Sequence, residues 1–113
     1  MNIKLLMRTW FGDRFDGVIE AVRYRKNGKI EWVRAYERRG PTWSDHVLLP
    51  RQMLLEKIQA GKRFYTGQRK VLHASEFDLG RQIVVAENGK GEIIQTDDVK
   101  AGSRDMLQGV PVI

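Results

Sequence analysis

Apolar and polar positions alternate most regularly in two neighbouring runs, residues 17–26 and 29–38. Both runs are rich in β-branched and aromatic residues, and Asn27 and Gly28 lie between them. An Asn-Gly pair favours the two positive φ values of a type I′ turn, whose twist fits a two-stranded antiparallel hairpin. The sequence therefore predicts a β-hairpin with a two-residue loop.

A two-residue loop fixes which residues of the hairpin face each other. One face of the predicted hairpin carries four cross-strand pairs: Arg25 with Ile30, Arg23 with Trp32, Ala21 with Arg34, and Ile19 with Tyr36. Guanidinium groups and aromatic rings alternate on this face, but two isoleucines share it. The pattern therefore leaves open whether Trp32 and Tyr36 point towards solvent or into the core.

One helix is predicted, over residues 50–60. Proline suits the first position of a helix, an apolar stripe runs from Met53 to Ile58, and Gly61 provides the stop. In this helix Arg51 would face water. The preceding segment, residues 41–50, predicts an irregular loop.

The remaining segments predict strands. Residues 3–10 carry apolar side chains on both faces, which is typical of a central strand. After the helix, strands are predicted over 63–72, 76–79, 82–87 and 92–96. We therefore expect one domain, residues 1–113, of the mainly β (α+β) class. It would be a small curved sheet or a partly open barrel of about six strands, with one helix between the third and fourth strands.

The composition limits the chemistry available to this chain of 113 residues. It contains no cysteine, which excludes disulfides, thiolate metal sites and a cysteine nucleophile. No segment reads as a signal peptide or a membrane span, so we expect a cytoplasmic protein without membrane contact. No phosphate-binding loop or metal-ligand spacing is present, so neither a cofactor nor a metal is predicted.

The charge is unevenly distributed along the chain. The net charge is +6, but residues 1–70 contain 16 Lys and Arg against seven Asp and Glu, whereas residues 71–113 contain four against seven. A basic surface attracts polyanions over a long range. Arginine and aromatic side chains together supply contacts to phosphates and to unstacked bases.

These features lead to the hypothesis of a non-catalytic module that binds single-stranded nucleic acid. A single strand is favoured over a duplex because no predicted helix has a basic face suited to the major groove. The candidate contact residues come from the hairpin, the segment after it and the segment after the helix. They are Arg23, Arg25, Trp32, Arg34, Tyr36, Arg38, Arg39, Trp43, Lys62, Arg63, Tyr65 and Arg69.

Two other classes of function are compatible with the sequence. The apolar tail at residues 110–113, or an edge of the hairpin, could mediate homo-oligomeric assembly or another protein–protein contact. Alternatively, the 41–50 loop could hold a ligand-binding or enzymatic site around Trp43, Asp45 and His46. His46 and His73, the two histidines, show no ligand spacing, so a satisfied or surface role is favoured over metal binding.

Overall fold

The computed structural model describes residues 15–89, 91–100 and 102–113, and of residues 73–75 it describes the backbone alone. The strand predicted at 3–10 lies outside this part of the chain. The described elements, in chain order, are β1 (Gly17–Tyr24), β2 (Ile30–Arg39), β3 (Thr42–Trp43), β4 (Val47–Pro50), α1 (Arg51–Gln59), β5 (Phe64–Lys70), β6 (His73–Glu87) and β7 (Glu92–Thr96).

The strands form one curled sheet, a half-barrel in the order β3-β2-β1-β5-β6-β7, with β4 also paired to β2. The β1–β5 pair is parallel, and the other strand pairs are antiparallel. Within the described residues, this architecture confirms the predicted mainly β fold with one helix. The predicted strands at 76–79 and 82–87 are one long strand, β6.

The position of the helix in the strand order differs from the prediction. The helix follows β4 rather than the third strand, because the segment predicted as an irregular loop forms the two short strands β3 and β4. β3 pairs with the end of β2, whereas β4 pairs with the middle of β2. Together they satisfy backbone groups along an edge of β2 that would otherwise need water as a partner.

The β1–β2 hairpin is present, but its turn is not the predicted one. The Gly28 N–H donates to the Arg25 carbonyl at 3.0 Å, and Gly28 has a φ of +84° while Asn27 has no positive φ. This is a three-residue loop that places only glycine in the left-handed region, where glycine carries no steric penalty. The predicted type I′ turn is therefore wrong.

Two bulges shift the register of the hairpin. The pairs Arg23 with Trp32 and Ala21 with Arg34 are as predicted, whereas Tyr36 faces Val18 and Ile30 faces Tyr24. The ladder accommodates Glu20 as an extra residue on β1 and Glu31 as an extra residue on β2. Ile19 and Ile30 are thereby moved to the face opposite the one that carries Arg23, Trp32, Arg34 and Tyr36.

The two faces of the hairpin therefore differ in composition: one is apolar and buried, and the other carries the arginines and Trp32 and Tyr36. We call the two faces the core face and the outer face. The core face consists of Ile19, Val22, Tyr24, Ile30, Val33 and Ala35, and the outer face of Val18, Ala21, Arg23, Trp32, Arg34 and Tyr36. Five of the six residues on the core face are buried in the main hydrophobic cluster, and Tyr24 packs against it.

The helix packs on the core face and is close to its predicted limits. Leu54 and Leu55 are buried in the same cluster as Val33 of β2 and Phe64 of β5. Gly61, with a φ of +98°, lies just after the helix, as predicted for a C-terminal stop. No helix in the described residues is long and apolar enough to cross a membrane.

The C-terminal tail docks on β1 of its own chain. The Val22 N–H donates to the Pro111 carbonyl at 2.9 Å, and the Ile113 N–H donates to the Val22 carbonyl at 2.9 Å. Val110 is buried in the main cluster, while the side chains of Val112 and Ile113 remain exposed. The tail thus extends the sheet beside β1, beyond the three residues of β1 that pair with β5.

The turn between β5 and β6 contains a strained residue. Lys70 pairs with His73, so Val71 and Leu72 form the turn, and Leu72 has a φ of +64°. A leucine in the left-handed region costs about 1–2 kcal/mol relative to the right-handed one.

We expect Leu72→Gly to raise the free energy of unfolding by about 0.5–1 kcal/mol, because strain relief exceeds the entropy that glycine adds to the unfolded chain.

Urea titration followed by circular dichroism would measure this change. Val71→Gly is the control, since Val71 has a negative φ and glycine there only makes the unfolded chain more flexible. A Leu72→Gly protein less stable than the wild type would contradict the assignment of strain to this residue.

Candidate nucleic-acid interface

The outer face carries four of the twelve predicted contact residues, Arg23, Trp32, Arg34 and Tyr36, but its two arginines are already paired. The Glu31 carboxylate lies 2.9 Å from Nε of Arg23, and the Glu20 carboxylate accepts a hydrogen bond from Nε of Arg34 at 2.8 Å. Both partners are the extra residues of the two bulges. The bulges therefore bring carboxylates next to arginines that the sequence pattern presents as unpaired cations.

Glu20 is the centre of a larger polar cluster. Its carboxylate also accepts a hydrogen bond from the Tyr36 hydroxyl at 3.0 Å and lies 2.9 Å from Nδ1 of His46. The His46 ring stacks on the Tyr36 ring with a centroid distance of 5.6 Å. Within the described residues, no group of three or more acidic, histidine or cysteine side chains is arranged to hold a metal. The 41–50 segment thus presents a histidine held by a carboxylate.

Tyr36 provides a test of this cluster. Burial raises the pKa of its hydroxyl, and the hydrogen bond to Glu20 raises it further. The folded state therefore holds this proton more tightly than the unfolded chain does. The resulting stability is present below the ordinary pKa of about 10 and is lost as the pH rises through the folded-state value.

We expect Tyr36→Phe to lower the free energy of unfolding by about 1–2 kcal/mol at neutral pH, because the carboxylate loses one donor. The difference between the two proteins should shrink above a pH of about 10, where the wild-type hydroxyl begins to ionise in the unfolded chain. Unfolding in urea at a series of pH values would measure it. A difference that stays constant into the alkaline range would contradict the bond to Glu20.

The other predicted aromatic contacts belong to a packed group, which we call the ring cluster. It consists of Phe15, Tyr36, Trp43, Tyr65 and Phe77, and neighbouring centroids lie 4.7–6.2 Å apart. Tyr36 and Tyr65 are only 8% and 6% exposed. Because their faces are already covered, these two tyrosines are not platforms on which a base could stack without rearrangement.

Two of the predicted basic residues cover the ring cluster. The Arg38 guanidinium lies 4.6 Å from the Trp43 ring centroid, and the Arg69 guanidinium lies 4.2 Å from the Tyr36 ring centroid. Arg69 also donates to the Ser44 carbonyl at 2.8 Å. Guanidinium groups over aromatic faces stabilise a packed surface without any ligand. Arg38 and Arg69 are thus held by their own chain.

Trp32 differs from these rings. Its side chain is half-buried, and no aromatic ring or cation packs on it among the residues that the structure describes. Its cross-strand neighbours are Arg23 on β1 and Pro50 on β4. Trp32 is therefore partly exposed on the outer face, beside β4, without a ring or a cation packed on it in the described chain.

Unpaired cations gather at the turn of the β1–β2 hairpin. Arg25, Lys26 and Lys29 belong to this turn, and Arg104 lies against it, with its Cβ 2.9 Å from the position that a Cβ on Gly28 would take. In the described part of the chain none of these four residues makes an ion pair. We call them the hairpin-end cluster. A cavity of about 290 Å³ beside it is lined by Arg25, Lys29 and Arg51, among others.

The last predicted contacts lie at the opposite end of the hairpin. Arg39 is at the exposed end of β2, while Lys62 and Arg63 are exposed just before β5. β1 is eight residues long, so this group lies roughly 25 Å from the hairpin-end cluster. The predicted cations that are exposed and not held by the outer face or the ring cluster therefore lie in two separate regions, Arg25 at the hairpin turn and Arg39, Lys62 and Arg63 at the opposite end.

Lys26, Lys29 and Arg104 of the hairpin-end cluster and the glutamates at the bulges were not among the predicted site residues. The signal for the bulges was present in the sequence as two isoleucines on an otherwise polar and aromatic face. Arg104 gave no signal, since 76 residues separate it from Gly28 along the chain.

Comparison of the chain with known protein families, with curated proteins and with solved structures finds no match.

Proposed function

We propose that this protein binds single-stranded nucleic acid on the surface formed by Trp32 and the hairpin-end cluster. The observation that supports the proposal is the grouping of four cations without ion-pair partners in the described chain, close to the half-buried indole of Trp32. Phosphates are attracted by such cations, and a base stacks on an aromatic face with a gain of about 1–3 kcal/mol.

A single strand suits this surface better than a duplex. Helix α1 is nine residues long, and Arg51 at its start is paired with Asp105 at 2.7 Å. The helix therefore offers no basic face for a major groove. An indole face that is accessible beside a strand binds bases that are not already stacked in a duplex.

The second basic region, with Arg39, Lys62 and Arg63, extends the proposed surface. A nucleic acid longer than the space around Trp32 would follow the hairpin towards it. The paired arginines of the outer face, Arg23 and Arg34, contribute less to affinity in this proposal, because a phosphate must compete with Glu31 and Glu20 for them.

Fluorescence anisotropy with a labelled single-stranded oligonucleotide, over a series of salt concentrations, tests the proposal. The double variant Arg25→Gln/Lys26→Gln should bind more weakly. It should also reduce the slope of log affinity against log salt by about 1.4, since each phosphate contact to a single strand contributes about 0.7. Trp32→Ala should weaken binding about tenfold with little change in that slope.

A matched control removes the same charge elsewhere. Arg81 on β6 and Lys100 after β7 are both exposed, so Arg81→Gln/Lys100→Gln should leave the affinity within about twofold of the wild type. Equal weakening by both double variants would mean that net charge alone attracts the strand. Absence of binding at the lowest salt concentration would reject the proposal.

A further inference from the structure

The turn between β5 and β6 exposes two apolar side chains at the end of a hairpin. Val71 is 83% exposed and Leu72 is 97% exposed. Leu72 is also the one non-glycine residue at positive φ among the described residues. A glycine or asparagine would form this turn with less strain. The leucine thus has an unfavourable backbone conformation and an apolar side chain exposed to water. This combination points to a role in contact with a ligand.

The base of this hairpin is fixed next to the outer face. Arg69, three residues before Leu72, covers the Tyr36 ring and donates to the Ser44 carbonyl. Phe77 on the returning strand packs against the same tyrosine, with a centroid distance of 5.3 Å. Both strands of the hairpin therefore lie against the residue that follows Arg34 and Trp32 along the outer face of β2. The turn extends beyond this anchored base.

We propose that Val71 and Leu72 insert between neighbouring bases of the strand bound at Trp32. This inference rests on the proposed function. Some proteins that bind duplex DNA insert leucine or other apolar side chains between neighbouring base steps and partly unstack them. We infer the same use of an apolar side chain on a single strand. The insertion would hold the strand at a second point beside the outer face, while Trp32 stacks on a base at the first.

The charges beside the turn indicate how the insertion would act. Nζ of Lys70 lies 3.8 Å from the Glu76 carboxylate and 3.9 Å from the Asp78 carboxylate. The turn is therefore not a strongly basic element, and it would add little long-range attraction to a polyanion. In the proposal the hairpin-end cluster attracts the strand, and the turn unstacks it. The two steps should consequently respond to different substitutions.

A single strand of deoxyadenosines containing one 2-aminopurine is the probe. The fluorescence of 2-aminopurine is quenched by stacking on its neighbours and rises when a base step is separated. We expect saturating wild-type protein to raise the fluorescence several-fold for the label placed at the inserted step. Leu72→Gly, which suits the backbone of the turn, should abolish most of this rise. It should weaken binding about three- to tenfold without changing the salt dependence.

Two comparisons separate this inference from the proposed function. Leu72→Met, which retains an apolar side chain of similar size, should restore the fluorescence rise. Arg25→Gln/Lys26→Gln should bind weakly but reach the wild-type fluorescence at saturation. If Leu72→Gly binds and unstacks the strand like the wild type, the insertion is rejected and the proposed function stands.

Other outcomes are also decisive. If wild-type protein binds no strand, the inference fails together with the proposed function. If Leu72→Gly changes the sedimentation of the protein without nucleic acid, the turn is a contact between copies of the chain and the insertion is rejected. If Leu72→Gly lowers affinity while the fluorescence stays quenched in every complex, the turn contacts the strand without separating its bases, which also overturns the inference.

Discussion

Replacement of Asp105 by alanine is expected to lower the free energy of unfolding by about 3–5 kcal/mol, because it removes one partner of a buried ion pair. Asp105 is 1% exposed. Its Oδ2 accepts hydrogen bonds from the Ile30 N–H and from Nε of Arg51, both at 2.7 Å. Its Oδ1 accepts a hydrogen bond from the Ile94 N–H at 3.0 Å.

This carboxylate connects three parts of the fold. Ile30 begins β2, Arg51 begins α1 and Ile94 lies in the middle of β7. Arg51 in turn donates to the Glu92 carbonyl at 2.6 Å. Alanine would leave two buried backbone donors without an acceptor and a largely buried guanidinium without its counter-charge, and both changes destabilise the folded state.

Chemical unfolding of Asp105→Ala beside Glu31→Ala measures the effect against a matched ion pair. Glu31 and Arg23 are 2.9 Å apart, a similar distance to the buried pair, but their side chains are 40% and 54% exposed. Glu31→Ala should therefore cost less than about 1 kcal/mol. Arg51→Met combined with Asp105→Ala should be less damaging than the sum of the single changes, because each partner is costly mainly when left alone. Equal losses for Asp105→Ala and Glu31→Ala would contradict a structural role for the buried pair.

Asp105 shows why part of this fold could not be predicted from sequence. Its partners lie 75, 54 and 11 residues away along the chain. No local pattern distinguishes it from other acidic residues in polar segments. Arg51 was predicted to face water for the same reason: the carboxylate that pairs with it, Asp105, comes from a distant segment. Local periodicity reports the side of an element that faces the core, and not which distant group will satisfy a charge there.

The strands were predictable where the alternation was long and the turn residues were clear. The β1–β2 hairpin, α1 and β7 were all found close to their predicted limits. β3 and β4 were not predicted, because strands of two and four residues are too short to show periodicity and depend on the free edge of β2. The hairpin bulges have a local cause that could have been recognised. Without them Ile19 and Ile30 would share a face with arginines, and the sheet resolves this conflict by adding one residue to each strand.

The candidate interface was predicted less completely than the fold. Composition and alternation located the arginines and aromatic rings, but not the groups that pair with them. Arg23, Arg34, Arg38 and Arg69 are each held by a carboxylate, a ring or a carbonyl of their own chain. Arg25, Lys26, Lys29 and Arg104, which make no ion pair in the described region, lie at the hairpin turn, where no strand neighbour supplies a carboxylate. The proposed surface is therefore smaller than the predicted one and is centred on the hairpin turn.

Replacement of Gly67 by alanine is the second change for which a large loss is expected, about 3 kcal/mol. A Cβ at this position would lie 2.3 Å from the Asp78 carbonyl oxygen and 3.2 Å from Cγ1 of Val18. The carbonyl belongs to the backbone of β6, which pairs with β5 on both sides of Gly67, so the clash cannot be relieved by rotating a side chain. The two strands must separate or the bulge at this point must change.

Thermal or urea unfolding of Gly67→Ala compared with Gly102→Ala measures this constraint. Gly102 is exposed, and a Cβ there would meet no heavy atom within 4 Å, so alanine should change the stability by less than about 0.5 kcal/mol. Both substitutions reduce the freedom of the unfolded chain equally, so the difference between the two proteins reports the folded-state clash alone. A Gly67→Ala protein as stable as Gly102→Ala would mean that β5 and β6 do not approach this closely. The base of the hairpin that carries Leu72 would then be less firmly fixed against the outer face than the geometry indicates.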